Sequence, residues 1–269
     1  MHETNDSTAW LRDNGSLRMD ANDAMFPAER RQFHLARYEF ALQHCHGKRV
    51  LDGACGTGYG SALIGGVAES VVGIDCAQDA IAYAVSTYAA PNVAFHTSFV
   101  ESTPFPDEAF DVVVSFETVE HTLCPRAHLM EIARLLDPSG IAIVSVPNAW
   151  GLTDHHFVDF NLDLLQDVAR PYFAEMSFYY QNPASHTRFP GIAPLTSALP
   201  QNAQCIIGVL EAPEKEHIHR KRDEAVMSEI YDLAFRRHAD YLTLAYRAKT
   251  GPVRRLQNKL RSLLARPHA

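Results

Sequence analysis

Val50-Leu51-Asp52-Gly53-Ala54-Cys55-Gly56-Thr57-Gly58-Tyr59-Gly60 is the stretch on which the reading of this chain turns. An apolar strand ends in an acid and runs into a glycine-dense turn before a helix. Such a turn lets the backbone approach a ligand without side-chain obstruction, at the carboxyl edge of a sheet where α/β folds bind their ligands. Short apolar runs around it predict strands at 48–52, 71–75, 93–96, 111–116 and 140–146. Between them, Ile81, Ala84, Val85 and Tyr88, and then Leu129, Ile132, Ala133 and Leu136, recur at i, i+3, i+4 and i+7. Each set is the buried stripe of a helix. Two alternating periodicities predict an α/β fold with a doubly wound, mostly parallel sheet.

Outward from this core, Phe33, Ala36, Arg37, Phe40 and Ala41 predict a helix over 29–45 that ends near Gly47. Downstream, a helix is expected to start near Asn161, and strands at 175–180 and 205–210 bring the expected sheet to seven. The Pro-, Ser- and Asn-rich stretch 182–201 predicts no element. With 269 residues, 46% of them hydrophobic, the chain can bury one large core. The expected organisation is an arm or lid at 1–28, one domain over 29–213 with its acceptor-side elements mainly at 147–213, a helical extension at 214–250 and a basic amphipathic tail at 251–269.

Charge is unevenly spread. Acids outnumber Lys and Arg by 32 to 24, yet the residues after Asp240 carry seven basic side chains and no acid, leaving about −15 on the rest. That body repels a polyanion, so nucleic acid is not an expected partner. Five scattered cysteines show no CxxC pair and read as reduced thiols. No apolar run approaches membrane-spanning length, and the polar start lacks the layout of a signal peptide, so a cytoplasmic protein is expected.

Two ligands compete for the glycine turn. A dinucleotide site wants G-x-G-x-x-G, but counting from Gly56 the third place is Ser61, and Asp52 would repel a pyrophosphate. A carboxylate suits a sulfonium or α-amino group, so the spacing favours S-adenosylmethionine over NAD. Val71-Val72-Gly73-Ile74-Asp75 ends a second strand in an acid that can accept both hydroxyls of a ribose, which serves either ligand.

With these residues in view, the chain resembles class I S-adenosylmethionine-dependent methyltransferases of the type 11/12 group over roughly 30–180. The glycine turn and Gly73-Ile74-Asp75 carry the likeness, followed by Pro104-Phe105-Pro106-Asp107, Phe110-Asp111-Val112-Val113, Ser115-Phe116-Glu117-Thr118-Val119-Glu120-His121 and Ser145-Val146-Pro147-Asn148. The resemblance implies that Gly56 and Gly58 lie against the methionine part and Asp75 on the ribose, with Asp52, Ala54 and Cys76 among the cofactor-binding residues. It sets Phe116, Glu117 and His121 along the rim beyond the fourth strand. His34-Leu35-Ala36-Arg37-Tyr38 is similar to a motif in relatives linked to surface-polysaccharide modification, where Arg37 and Tyr38 close over the methionine carboxylate. Two departures stand out: Ala54 replaces the first motif glycine, and Ser98-Phe99 replaces a Gly-Asp pair whose acid holds the adenine amino group. Adenine is then left to stacking on Phe99, to Ser98, or to backbone groups of Phe99 and Val100.

Methyl transfer from a sulfonium is an in-line displacement, and a hydroxyl acceptor must also lose its proton. His121 after the fourth strand and His155-His156 after the fifth stand at the carboxyl edge as candidate bases, with His155 and His156 as alternatives and Glu120 and Asp154 behind them. A metal is not expected, because the adjacent Asp154, His155 and His156 project in different directions. The expected acceptor is a sugar hydroxyl of a surface glycan or its precursor, or else a phenol or quinone-like small molecule; adenosylmethionine binding without catalysis is the remaining alternative. Val253, Leu256, Leu260, Leu263 and Leu264 give the tail an apolar stripe among basic residues, suited to an anionic membrane surface or to another subunit.

Overall fold

The computed structural model describes residues 20, 28–122, 124–153, 155–182 and 191–216. Apart from Asp20, Ala28 and residues 214–216, the expected arm, helical extension and tail lie outside the described residues, as does Asp154.

The elements run α1 (Ala28–Cys45), β1 (Arg49–Gly53), α2 (Tyr59–Gly65), β2 (Ser70–Asp75), α3 (Gln78–Tyr88) and β3 (Val93–Thr97). They continue with β4 (Phe110–Phe116), a 3-10 turn (Val119–His121), α4 (Pro125–Leu135), β5 (Leu136–Pro147), α5 (Leu162–Ala169), β6 (Phe173–Gln181), β7 (Ile192–Pro194) and β8 (Cys205–Pro213). They form one sheet in the order β3-β2-β1-β4-β5-β8-β6-β7. The first five strands in that order are parallel; β8 is antiparallel to β5 and β6, and β7 is antiparallel to β6.

Strand period explains the two cores. Leu51, Val113 and Val144 point to a face covered by Leu129 and Ile132 of α4 and Leu165 and Val168 of α5. Their neighbours Val50, Val112, Val114 and Ile143 point to the other face, under Ala36 and Phe40 of α1, Ile64 of α2 and Ala84 of α3. A parallel sheet buried on both faces reads as continuous apolar runs, as it does here.

Three expectations change. The sheet has eight strands among the described residues rather than seven, because Ile192–Pro194 pairs with Tyr179, Tyr180 and Gln181. Three residues are too few to show a period, and Pro194 is tolerated because an edge strand leaves an N–H position free. Val85 is half exposed while Ile81 and Ala84 are buried, so the buried stripe of α3 is narrower than expected. Leu136 opens β5 instead of ending α4, and is buried there. The helix expected near Asn161 is α5, whose first turn is capped by Asn161 Oδ1 accepting from Leu164 N at 2.9 Å.

One feature of topology positions everything else. The chain builds β1, β2 and β3 outward, then returns to lay β4 against the other side of β1. Loops leaving β1 and β4 therefore diverge over opposite faces, opening a crevice at their carboxyl ends.

Candidate functional site

The turn after β1 is held by backbone bonds, Cys55 N donating to Ile74 O at 2.8 Å and Gly58 N to Cys55 O at 3.0 Å. Ala54, Gly56 and Gly58 all take left-handed φ, at 61°, 56° and 89°. Gly58 needs glycine twice over, since a Cβ there would lie 2.8 Å from both Ala84 Cβ and a Phe95 ring carbon. At Gly56 nothing lies within 4 Å of such a Cβ, so this glycine faces open space. Across that space Asp75 accepts from Gly56 N at 3.1 Å through Oδ2 and from Ala77 N at 2.9 Å through Oδ1.

A cavity of about 490 Å³ opens here. Of the cofactor-binding residues expected from the sequence, Tyr38, Ala54, Gly56, Asp75 and Cys76 line its floor and one wall. Ser98, Phe99 and Val100 line a second side, with Phe99 68% exposed. Phe116, Glu117 and His121 line the third. The loop at Val100 is anchored from below by His128, whose ring bridges Val100 O at 3.2 Å and Ser115 Oγ at 3.0 Å. Burial pulls the His128 pKa down to about 4, so the imidazole is neutral.

Arg37, Asp52 and Gly58 do not line the cavity. Arg37 is 1% exposed and places Nη1 2.7 Å from Glu117 Oε1, with Ser145 Oγ at 3.5 Å and Cys205 Sγ at 3.4 Å. Burial opposes its charge most strongly, but Glu117 together with Cys205 and Tyr59 outweighs it and raises the pKa. Arg37 thus holds Glu117 from beneath, where the sequence reading had it closing over a carboxylate. Asp52 is buried below the turn, accepting from Ser61 Oγ at 2.6 Å and facing Tyr38 Oη at 3.4 Å. Burial pushes its pKa up to about 7, against the weaker effect of these two donors. Arg37 in α1 and Asp52 in β1 each point into the packed interior, because side-chain direction is decided by packing.

The mouth of the cavity carries the histidines. His121 Nδ1 lies 2.6 Å from His155 O, a carbonyl that can only accept, so Nδ1 holds the proton and Nε2 its lone pair. His155 lines the cavity; His156 does not, and instead packs against His121 at 4.9 Å between ring centroids. The pKa values of His121 and His156 are lowered, first by burial. Glu120 is fully buried and its pKa stands well above the carboxylate range, through burial and then the charge of Glu117.

The cavity also takes in residues not foreseen from the sequence. Glu101 lines the side where the Gly-Asp acid is missing, and burial raises its pKa. An acid two positions past Phe99 was the available signal. His34 and Arg30 of α1 line the cavity as well, and His34 is pulled down to about 2 by burial and then by Arg37 and Arg30. Cys55, Tyr59, Thr118, Thr122 and Phe157 complete it; Cys55, Tyr59 and Thr118 stand within the quoted motifs, while nothing in the local sequence marks Thr122 or Phe157.

Known proteins resemble this chain over the same region. Residues 51–144 match the family model described as a methyltransferase domain. A protein of Mycolicibacterium smegmatis, described as a probable S-adenosylmethionine-dependent methyltransferase, is 36% identical over 115 residues, 43% of this chain and 44% of that one. A ubiquinone biosynthesis O-methyltransferase of Bartonella quintana is 30% identical over 110 residues, 39% and 44% of the two chains. The matched stretches span under half the length of either relative. Among solved structures, a chain of the complex between the Haloferax volcanii Trm112 methyltransferase activator and a methyltransferase superposes with TM-score 0.56 at 19% identity, covering 77% of this chain and 95% of that one. An S-adenosylmethionine-dependent methyltransferase of Thermotoga maritima gives TM-score 0.53 at 17% identity, covering 68% and 91%. The chain therefore has the class I methyltransferase fold, and its residues 51–144, which carry the glycine turn, Asp75 and the Glu117–His121 rim, match the methyltransferase domain family.

Proposed function

We propose that the protein is an S-adenosylmethionine-dependent O-methyltransferase acting on a sugar hydroxyl of a surface glycan or its precursor. The observation that carries the reading is one cavity with a cofactor-type floor and a mouth lined by His121 and His155.

The floor fits S-adenosylmethionine. Asp75 ends β2 at the cavity wall, where a carboxylate can accept from the hydroxyls of a ribose. Phe99 offers an exposed ring for a base to stack on, and Glu101 a carboxylate within the same wall. S-adenosylmethionine, when bound, supplies the electrophilic methyl group. The chain contributes alignment and exclusion of water, through Phe116, Tyr38 and Phe157 around the cavity. His121 and His155 stand where an acceptor enters, and His155 can take a proton from it. Beyond them Trp150, 60% exposed, lies tilted at 37° over His156 and offers a flat platform to the apolar face of a sugar.

A phenolic or quinone-like acceptor is the second reading, favoured by the name of the Bartonella quintana relative. Labelled methyl incorporation across nucleotide-sugars, glycans and phenols separates the two, with adenosylmethionine binding followed by calorimetry. Methylated sugar is the expected product. Methylation confined to phenols replaces the sugar reading, and binding without turnover on any acceptor removes catalysis.

A further inference from the structure

Glu120, His121 and His156 are brought together although no expectation paired them. Each offers one ligand atom, and these atoms lie within 4.8 Å of one another. We propose that they bind a divalent first-row transition-metal ion at the mouth of the cavity, leaving coordination positions open toward it.

The main reason is Glu120. Its side chain is fully buried, and neither carboxylate oxygen has a hydrogen-bond partner. A buried carboxyl group without partners is costly, and each such group calls for an explanation. His121 Nε2 lies 3.7 Å from its Oε1. That nitrogen is the one left with a lone pair, because Nδ1 donates to His155 O at 2.6 Å. A histidine whose other nitrogen donates to a backbone carbonyl is the arrangement that orients imidazole for a metal. His156, from the other loop, meets the same point, its ring crossing that of His121 at 68°.

The scaffold is braced. Phe157 N donates to the backbone carbonyl of Glu120 at 2.8 Å, tying the loop after β5 to the 3-10 turn after β4. Thr153 Oγ1 accepts from His155 N at 3.1 Å and from His156 N at 2.9 Å, forming a tight turn that presents His156. Ligand bonds of about 2.0–2.2 Å set pairs of donors about 3–4 Å apart, so small side-chain rotations close the site. Two imidazoles and one carboxylate suit iron, cobalt, zinc or manganese better than calcium, and three protein ligands leave positions for solvent or substrate. Glu117 is held back from the site by its pairing with Arg37.

Its use rests on the methyltransferase reading, though binding of the ion does not. His121 belongs to both the site and the cavity wall, so an ion there can hold the acceptor oxygen. A hydroxyl bound to such an ion is acidified and releases its proton to solvent. That assigns His121 to holding the ion rather than to proton transfer.

Untagged full-length protein stripped with chelator is titrated with Co²⁺, following both heat and visible absorption. One equivalent with d–d bands is expected, reduced at least tenfold in affinity in Glu120→Gln and in His156→Ala. Adenosylmethionine binding by the same stripped protein checks that it is folded and that the cofactor reading stands separately. Folded, cofactor-binding protein that takes up no Co²⁺, Zn²⁺ or Mn²⁺ overturns the site, as does uptake unchanged in both variants. If the ion binds at these residues but methylation is the same with and without it, its role at the acceptor oxygen is overturned.

Discussion

At Ala54 the backbone stands at φ 61°, a conformation that costs an L-residue about 1–2 kcal/mol and that glycine adopts freely. The larger unfolded-state entropy of glycine offsets part of the gain. Ala54→Gly is therefore expected to raise stability by up to about 1 kcal/mol, while Ala54→Val, β-branched at positive φ, lowers it by more than about 1 kcal/mol. Urea denaturation of both variants decides this; a stabilised valine variant contradicts the left-handed assignment. Asp52 gives a pH test. Its pKa rises from 3.8 to about 7 on folding, so between those values the folded state holds a proton that the unfolded state has lost. Stability falls as pH rises through that window, and the slope vanishes above it. Wild type should lose more stability than Asp52→Asn between pH 4.5 and 8, since other titrations cancel in the comparison. Parallel pH profiles would show that Asp52 ionises normally.

Elements are locked to one another by buried charge. Arg37 of α1 reaches Glu117 just past β4, and the Glu117 main-chain N donates to Ser145 Oγ of β5 at 3.0 Å. Glu117 itself is held at φ 50°, a strained setting that these contacts offset. Removing one partner leaves the other charge buried, so Glu117→Ala should cost about 3–5 kcal/mol in denaturation experiments. A loss under about 1 kcal/mol would mean that Arg37 finds water or another partner. On the opposite face, Arg134 pairs with Glu131 at 2.7 Å and Asp107 at 2.8 Å, fastening α4 to the 103–107 segment. The Pro104–Asp107 motif noted in the sequence is thus a structural clamp below the site.

For the whole molecule, the cavity lies where β1, β2 and β4 end, so a ligand there bridges loops from both sides of the crevice. S-adenosylmethionine at about a hundred times its Kd should stabilise the fold by about 2.7 kcal/mol. Asp75→Ala should weaken its binding by about 1–3 kcal/mol and shrink the rise in melting temperature accordingly. An undiminished thermal shift in that variant removes Asp75 from the site. Among the described residues, no helix is long and apolar enough to cross a membrane.

Local pattern made the parallel half of the sheet, the glycine turn and the acid ending β2 legible, because strand alternation, helical spacing and turn chemistry are properties of consecutive residues. Asp75 and Phe99 are the clearest instances: their place at a strand end or just beyond it already puts them at the carboxyl edge. Tertiary structure alone decided which side chains face the cavity. Arg37 and Tyr38 are neighbours on one helix, yet Tyr38 lines the cavity and Arg37 is buried against Glu117. The short β7 was hidden because three residues carry no period, and its existence depends on the edge that β6 presents. The meeting of Glu120 and His121 with His156 was equally hidden, since the two stretches lie far apart in the sequence. Two loops leaving neighbouring parallel strands bring distant residues to one point, and that convergence is set by the sheet order, which no local stretch contains.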